Sequence, residues 1–375
     1  MRTPALPFVL VLVLAFVVAP SASQLARADS PRAEKVVSAV AGKPLDLPAG
    51  VVKWHPGHYV YLGWDDDEDY IAEMLKRTPR FRGVKLFHTW RTLEPSKDQY
   101  DFSRVRAQLA KAARLKTRLA LYIEVQTYHE GRNYTPDYVA GAEYGGGTYR
   151  IPAGGINPVW WNAAVAERIA KLYRELGREF NRHPQLEAIT TMETSTPIHP
   201  DKMPATIERH TTERVLRATL LMVGALNEAF PNTVTIQFTN YPLEILPRLT
   251  EAMASSRVGL GGPDIFLGSK WLQVGVYRYY PKLAGIVPLG TAVQWDNYQK
   301  RDHRGPVDEP PIRELYEFGR DRLHNNYLFW DVRREPRDYF ADVVSTLNAP
   351  GFPADPAGGL ATGCPKNFRE CVTVR

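Results

Sequence analysis

The chain has 375 residues, of which 44% are apolar, and its 47 basic and 41 acidic side chains leave a formal charge of +6. That balance is too mild for a nucleic-acid binder, and Lys111, Arg114, Lys116 and Arg118 are scattered over helix-like positions as a solvated face is. Two cysteines, Cys364 and Cys371, give neither a zinc-ligand spacing nor a thiol nucleophile with a nearby His.

At the amino end, Met1 and Arg2 precede an apolar run from Leu6 to Ala19 and then Ala26-Arg27-Ala28. A positive start, a short hydrophobic stretch and an Ala-x-Ala site read as an export signal over 1–28, cleaved before Asp29, with no stable membrane insertion afterwards. An uncleaved anchor is the alternative, and no second hydrophobic stretch supports it. Residues 29–56, with Pro31, Pro44, Pro48 and Pro56, read as an extended lead-in. A barrel domain is expected over 57–350, and a Pro- and Gly-rich tail over 351–375. Export would place Cys364 and Cys371 in an oxidising compartment, so they are expected to pair.

Eight apolar runs then predict strands: Tyr59–Trp64, Gly83–His88, Arg118–Glu124, Leu186–Met192, Thr233–Thr239, Val258–Leu260, Val287–Val293 and Asn326–Trp330. Between them, apolar residues recur at helical spacing over Ser103–Leu115, Asn162–Phe180 and Thr211–Phe230. Strand then helix, repeated, means a parallel sheet, and the fold class expected is α/β, a (β/α)₈ barrel. Its length fits, since such barrels run from about 200 to over 400 residues. The sixth strand is the weakest, and the helix after it is indistinct between Phe266 and Lys282. A long insertion after the third strand, Thr127 to Trp161, carries Tyr128, His129, Tyr134, Tyr138, Tyr144, Tyr149, Trp160 and Trp161. Loops of that length are usually functional, and these rings either wall a groove for a polymeric chain or pack the insertion on its own scaffold.

In such barrels the reacting groups lie where strands give way to βα loops. Polar and aromatic residues at these ends are His88 and Trp90, Glu124 and Gln126, Glu193, Asp264, Gln294 with Trp295 and Asp296, and Trp330 with Asp331. Sugar faces stack on rings while hydroxyls need directional polar partners, so Trp90, Trp295 and Trp330 point to carbohydrate. Glu124, Gln126, His88, Asp264 and Gln294 are candidate substrate-binding groups. For Glu124 an ion pair with Lys85 is the alternative, and for Asp264 a turn or helix cap. The acidic run Asp65 to Asp69 lacks the spacing of a calcium loop and reads as a helix N-terminus. No metal or cofactor is implied. There is neither a Gly-x-Ser-x-Gly elbow nor a His-Glu-x-x-His pair.

Two stretches carry a resemblance. Trp90 to Ser103, with Glu94, Pro95, Tyr100, Asp101 and Phe102, resembles the second βα unit of clan A glycoside hydrolases, and Asn181 to Glu193 resembles their helix and fourth strand. The resemblance covers 83–193 well and 194–333 only by strand count. It implies a retaining (β/α)₈ barrel in which Glu193 is the acid/base and Glu94 is structural. The family carries Asn where this chain has Met192, and a nucleophilic Glu where it has Gln294. Asp296 is the leading substitute, since residues two apart share one side of a strand, and Glu124, Asp264 and Asp331 are the alternatives. Glycosidic cleavage needs one carboxyl to protonate the leaving oxygen and a second to attack carbon or activate water. The expectation is a secreted or periplasmic glycoside hydrolase acting on a poly- or oligosaccharide through Glu193 and Asp296. The alternative is a non-catalytic glycan-binding barrel.

Overall fold

A computed structural model describes residues 35–39, 43–332 and 337–375. The export signal expected over 1–28 lies outside the described residues.

Eight parallel strands close into a barrel: β1 (Gly57–Gly63), β2 (Phe81–Thr89), β3 (Arg118–Glu124), β4 (Leu186–Thr191), β5 (Val234–Phe238), β6 (Gly259–Gly262), β7 (Leu289–Val293) and β8 (Tyr327–Asp331). Each matches a predicted run to within a few residues. Both faces of these strands are covered, which is why they read as near-continuous apolar runs. Tyr59, Tyr122, Ile236, Phe238, Tyr327 and Phe329 fill the barrel interior, while Val60, Leu121, Ile189 and Leu328 pack under the helices. The three predicted helices form over Ser103–Arg114, Ala163–Phe180 and Thr212–Ala229. On Ala163–Phe180, Val165, Ile169, Leu172, Leu176 and Phe180 face inward, and the Asn162 side chain caps the first turn by accepting from the amides of Ala164 and Val165.

The faint sixth strand has a steric cause. A Cβ on Gly259 would sit 2.2 Å from the Pro288 carbonyl oxygen and one on Gly261 2.4 Å from that of Gly290, so β6 can lie against β7 only with glycine at these two positions. The segment after it is broken into Lys270–Val274, Val276–Tyr279 and Tyr280–Leu283 rather than one helix.

A three-stranded sheet of Lys35–Val37, Glu370–Val374 and Val51–Lys53 joins the lead-in to the chain's end at the amino-terminal side of the barrel. The Lys53 ammonium donates there to the carbonyl of Asn181 at 2.7 Å and to the Thr233 hydroxyl at 2.7 Å. Cys364 and Cys371 are disulfide-bonded, closing a loop of sequence separation 7. Such a short loop constrains the unfolded chain little. Its reduction is expected to lower stability by at most about 2–3 kcal/mol and to leave the barrel folded, as melting curves with and without reductant would show.

The acidic run behaves as a helix start. Asp67 caps Glu68–Lys76 by accepting from the Tyr70 amide, Asp66 pairs with Arg104 at 2.8 Å, and Glu68 pairs with Arg114 at 2.6 Å. Among the described residues no group of three or more His, Cys, Asp or Glu is placed to hold a metal ion, and no helix is long and apolar enough to cross a membrane.

Candidate active site

Glu193 follows β4 by two residues, at the carboxyl-terminal mouth of the barrel. Its Oε2 accepts from the Asn240 amide at 2.7 Å and from the Ser195 hydroxyl at 2.8 Å. Asn240 lies just past β5, so two successive strands fix one carboxyl oxygen. The main chain around Glu193 is held from the other side: Gln126 Nε2 donates to the carbonyls of Glu193 at 3.1 Å and Ser195 at 2.8 Å, and the Tyr128 hydroxyl donates to the Ser195 carbonyl at 3.2 Å.

Glu124 stands beside it because Ile123 on β3 is level with Thr191 on β4. Its carboxylate accepts from the Tyr122 hydroxyl and from the amides of Val125 and Gln126, both at 3.0 Å. Burial outweighs these donors, Glu193 adds like-charge repulsion, and the carboxyl is pushed up to about 7. The predicted alternative partner, Lys85, makes no ion pair with it among the described residues. The Lys85 amine instead lies 4.4–4.6 Å from the ring centroids of Tyr61, Tyr122, Phe238 and Phe329 in the barrel interior, with no hydrogen-bond partner. Burial drives its pKa well down, against the charges of Glu124 and Asp331.

The raised Glu124 pKa has a consequence for stability. Between its unfolded value and about 7 the folded state binds the extra proton, so this group's contribution to stability falls as pH rises through that window. With Glu124→Gln that loss is removed. Between about pH 5 and about pH 8 the variant should gain on the order of 3 kcal/mol relative to wild type, read from paired denaturation curves. A constant gap between the two proteins would contradict a buried, proton-holding Glu124.

Near Glu193, Asp264 follows β6, and Asp296 lies in the short helix Trp295–Gln299 after β7. Asn297 joins them, its Nδ2 donating to Asp264 Oδ1 at 3.1 Å and to Asp296 Oδ1 at 3.3 Å. Burial raises the Asp264 carboxyl well above the usual range, and the charges of Asp296 and Glu193 raise it further against the Asn297 bond. Asp296 is raised too, by burial, although nearby amides, Lys300 and His303 pull it down. Two carboxyls this close do not both ionise readily, so the pair is disposed to share one proton. Gln294 completes the junction: its Nε2 donates to the Pro263 carbonyl at 3.1 Å, and its amide donates to Asn297 Oδ1 at 2.8 Å.

The mouth thus gathers Glu193, Glu124, Gln126, Asp264, Gln294 and Asp296, with Trp295 exposed at its rim. Three other candidates lie elsewhere. His88 faces outward from β2 and its Nε2 meets Gln108 Oε1 at 2.7 Å. Trp90 is fully buried with its indole N–H donated to Glu94 at 2.8 Å, and Glu94 in turn pairs with Arg168. Trp330 is fully buried against His58, to whose Nδ1 it donates at 3.0 Å. None of the three lines the mouth, because each occupies the face of its strand or turn that packs under the helices. In the long insertion Tyr144, Tyr149, Trp160 and Trp161 are buried, Tyr134 is buried against Phe87 and Trp64 at the barrel interior, and Tyr128 is exposed. Asn240, Ser195 and Asn297 were not foreseen. Only Asn240, one residue beyond a predicted strand, had a positional signal.

No family model matches the sequence, and no curated protein does. Solved structures do. The catalytic domain of a β-amylase from Paenibacillus polymyxa superposes with a TM-score of 0.52 at 9% identity, over 84% of this chain and 97% of that one. Endo-glycoceramidase II from Rhodococcus sp., in a five-membered iminocyclitol complex, gives 0.53 at 12% identity over 78% and 80%. A β-galactosidase from the psychrophilic Marinomonas ef1 gives 0.51 at 10% over 78% and 58%. The chain therefore has the (β/α)₈ barrel fold of these three enzymes.

Proposed function

We propose that the chain is a secreted or periplasmic glycoside hydrolase that cleaves a poly- or oligosaccharide by two-carboxylate catalysis at the barrel mouth. The observation that carries this reading is that Glu193, held by Asn240 and Ser195, shares the barrel mouth with the Asn297-linked pair Asp264 and Asp296, its charge acting on Asp264. Three solved structures of the same fold are a β-amylase, an endo-glycoceramidase and a β-galactosidase, which agrees with it. The disulfide agrees with export.

In this mechanism Glu193 passes the proton to the leaving oxygen. The aspartate pair supplies the second carboxylate, one member holding the shared proton while the other, Asp296, attacks carbon or activates water. Asp296→Asn and Asp264→Asn separate the two. Loss of turnover of about 10²-fold or more in Asp296→Asn, with a smaller loss in Asp264→Asn, assigns the charged role to Asp296, and the reverse order assigns it to Asp264. Wild-type rates in both variants would remove the pair from the chemistry and overturn the reading. The position of Gln294, an amide where the resembling family carries its nucleophile, favours a second reading in which the barrel binds glycan without cleaving it.

A further inference from the structure

Among the described residues four large aromatic side chains are exposed: Trp64 at 42%, Tyr128 at 43%, Trp271 at 54% and Trp295 at 41%. All four stand on segments that follow the carboxyl ends of barrel strands, after β1, β3, β6 and β7. A soluble fold has no packing reason to gather its exposed rings at one end, and exposed apolar groups collected around a polar site mark a ligand surface.

Their neighbours tie the rings to the carboxyls. Trp64 lies with its centroid 4.5 Å from that of Phe87, which is 5.3 Å from Tyr122, whose hydroxyl bonds Glu124. Tyr128 bonds the Ser195 carbonyl next to Glu193. Trp295 sits between Gln294 and Asp296, and Trp271 belongs to the segment that begins at Asp264. In a closed ring of eight strands β3 is opposite β7, and β6 is three strands from both β1 and β3. The Trp64 and Tyr128 side therefore faces the Trp271 and Trp295 side across the mouth. Strands about 4.8 Å apart and tilted about 36° make a barrel roughly 15 Å across, several sugar rings wide.

We infer that an uncharged glycan chain lies across this mouth, stacking on Trp64 and Tyr128 at one end and on Trp271 and Trp295 at the other, with the bond to be cut over Glu193. The inference rests on the proposed glycosidase reading and narrows its poly- or oligosaccharide substrate to an uncharged chain with a defined path across the mouth. Charge argues for a neutral chain. The carboxylate that stays ionised in the Asp264 and Asp296 pair would repel a uronate, while Asn240, Gln126 and Asn297 are amides suited to hydroxyls.

The test is calorimetric binding in the Glu193→Gln background, which holds turnover at bay, with neutral β- and α-linked glucan, mannan and galactan oligomers of one to six units. Affinity for the chain that binds should rise steeply with length. Trp64→Ala and Trp271→Ala should each weaken the longest oligomer by about tenfold and flatten the length dependence. Melting curves establish that these exposed substitutions leave the fold intact. Affinity that is the same for one unit and for six, or unmoved by both substitutions, would overturn the inference and leave the glycosidase reading standing. Stronger binding of an oligouronate than of any neutral chain would overturn it as well. Absence of binding by every glycan would instead overturn the glycosidase reading from which it starts.

Discussion

Replacing Glu193 by glutamine is expected to lower hydrolysis of an unactivated glycan by about 10²–10⁴-fold while leaving the melting temperature close to that of wild type. An amide cannot give up a proton as a carboxylic acid does, so the leaving oxygen would depart unprotonated. The fold should not suffer, because the amide oxygen of glutamine can still accept from Asn240 and Ser195 as Oε2 does now. KM should change less than kcat, since the lost interaction is made in the transition state and not in substrate binding. Wild-type turnover in this variant would remove Glu193 from the acid role and leave the barrel without its leading catalyst.

The largest structural effect is expected at the other end of the barrel. Glu187 Oε1 accepts from the His55 amide and the Tyr327 hydroxyl, both at 2.7 Å, and its Oε2 meets His55 Nδ1 at 2.6 Å. His55 Nε2 then receives the Val374 amide at 3.0 Å, so one buried carboxylate links the start of β1, β4, β8 and the terminal strand. Burial by itself would raise this carboxyl, but His55 and Tyr327 outweigh it and hold it down to about 2. Glu187→Ala leaves the buried ring N–H and amide of His55 and the Tyr327 hydroxyl without their acceptor, at a cost of about 1–3 kcal/mol for each group left unsatisfied. The melting temperature should fall by about 5 °C. The pH dependence has the opposite sign to that of Glu124. A depressed carboxyl stabilises the fold above its unfolded value, and that stabilisation is lost as pH falls toward about 2. The gap between wild type and Glu187→Ala should therefore close under acid. A gap that stays constant would mean that the carboxylate is not the linking charge.

These two sites differ in how much of them the sequence disclosed. All eight strands were legible because strands buried on both faces must be apolar throughout, and so were the capped amphipathic helices between them. The sixth unit was faint for the same reason that it closes the barrel, since glycines admit the neighbouring carbonyls and erase the side-chain pattern. Glu193, Asp264 and Asp296 could be picked from their positions after strands. His88, Trp90 and Trp330 satisfy the same rule and lie on the other face. On β8 Tyr327 and Phe329 fill the interior while Leu328 and Trp330 pack outward, so parity along the strand, and not nearness to its end, decides which side a residue serves. Counting from inward Lys85 puts His88 outside in the same way. Ser195 sits in a loop and Asn297 in the short helix Trp295–Gln299, both too brief for a period to apply, and their contacts with the carboxyls depend on local geometry that composition does not encode.

The most direct measurement is proton NMR of anomeric signals while wild-type protein acts on unactivated neutral oligosaccharides, with Glu193→Gln as the paired control. New reducing ends should form with one defined anomeric configuration in wild type and not in the variant: retention would place the aspartate at attacking distance, and inversion would assign it to a water. Oligosaccharide bound by wild type with no new reducing end would contradict two-carboxylate hydrolysis and mark the mouth as a binding site.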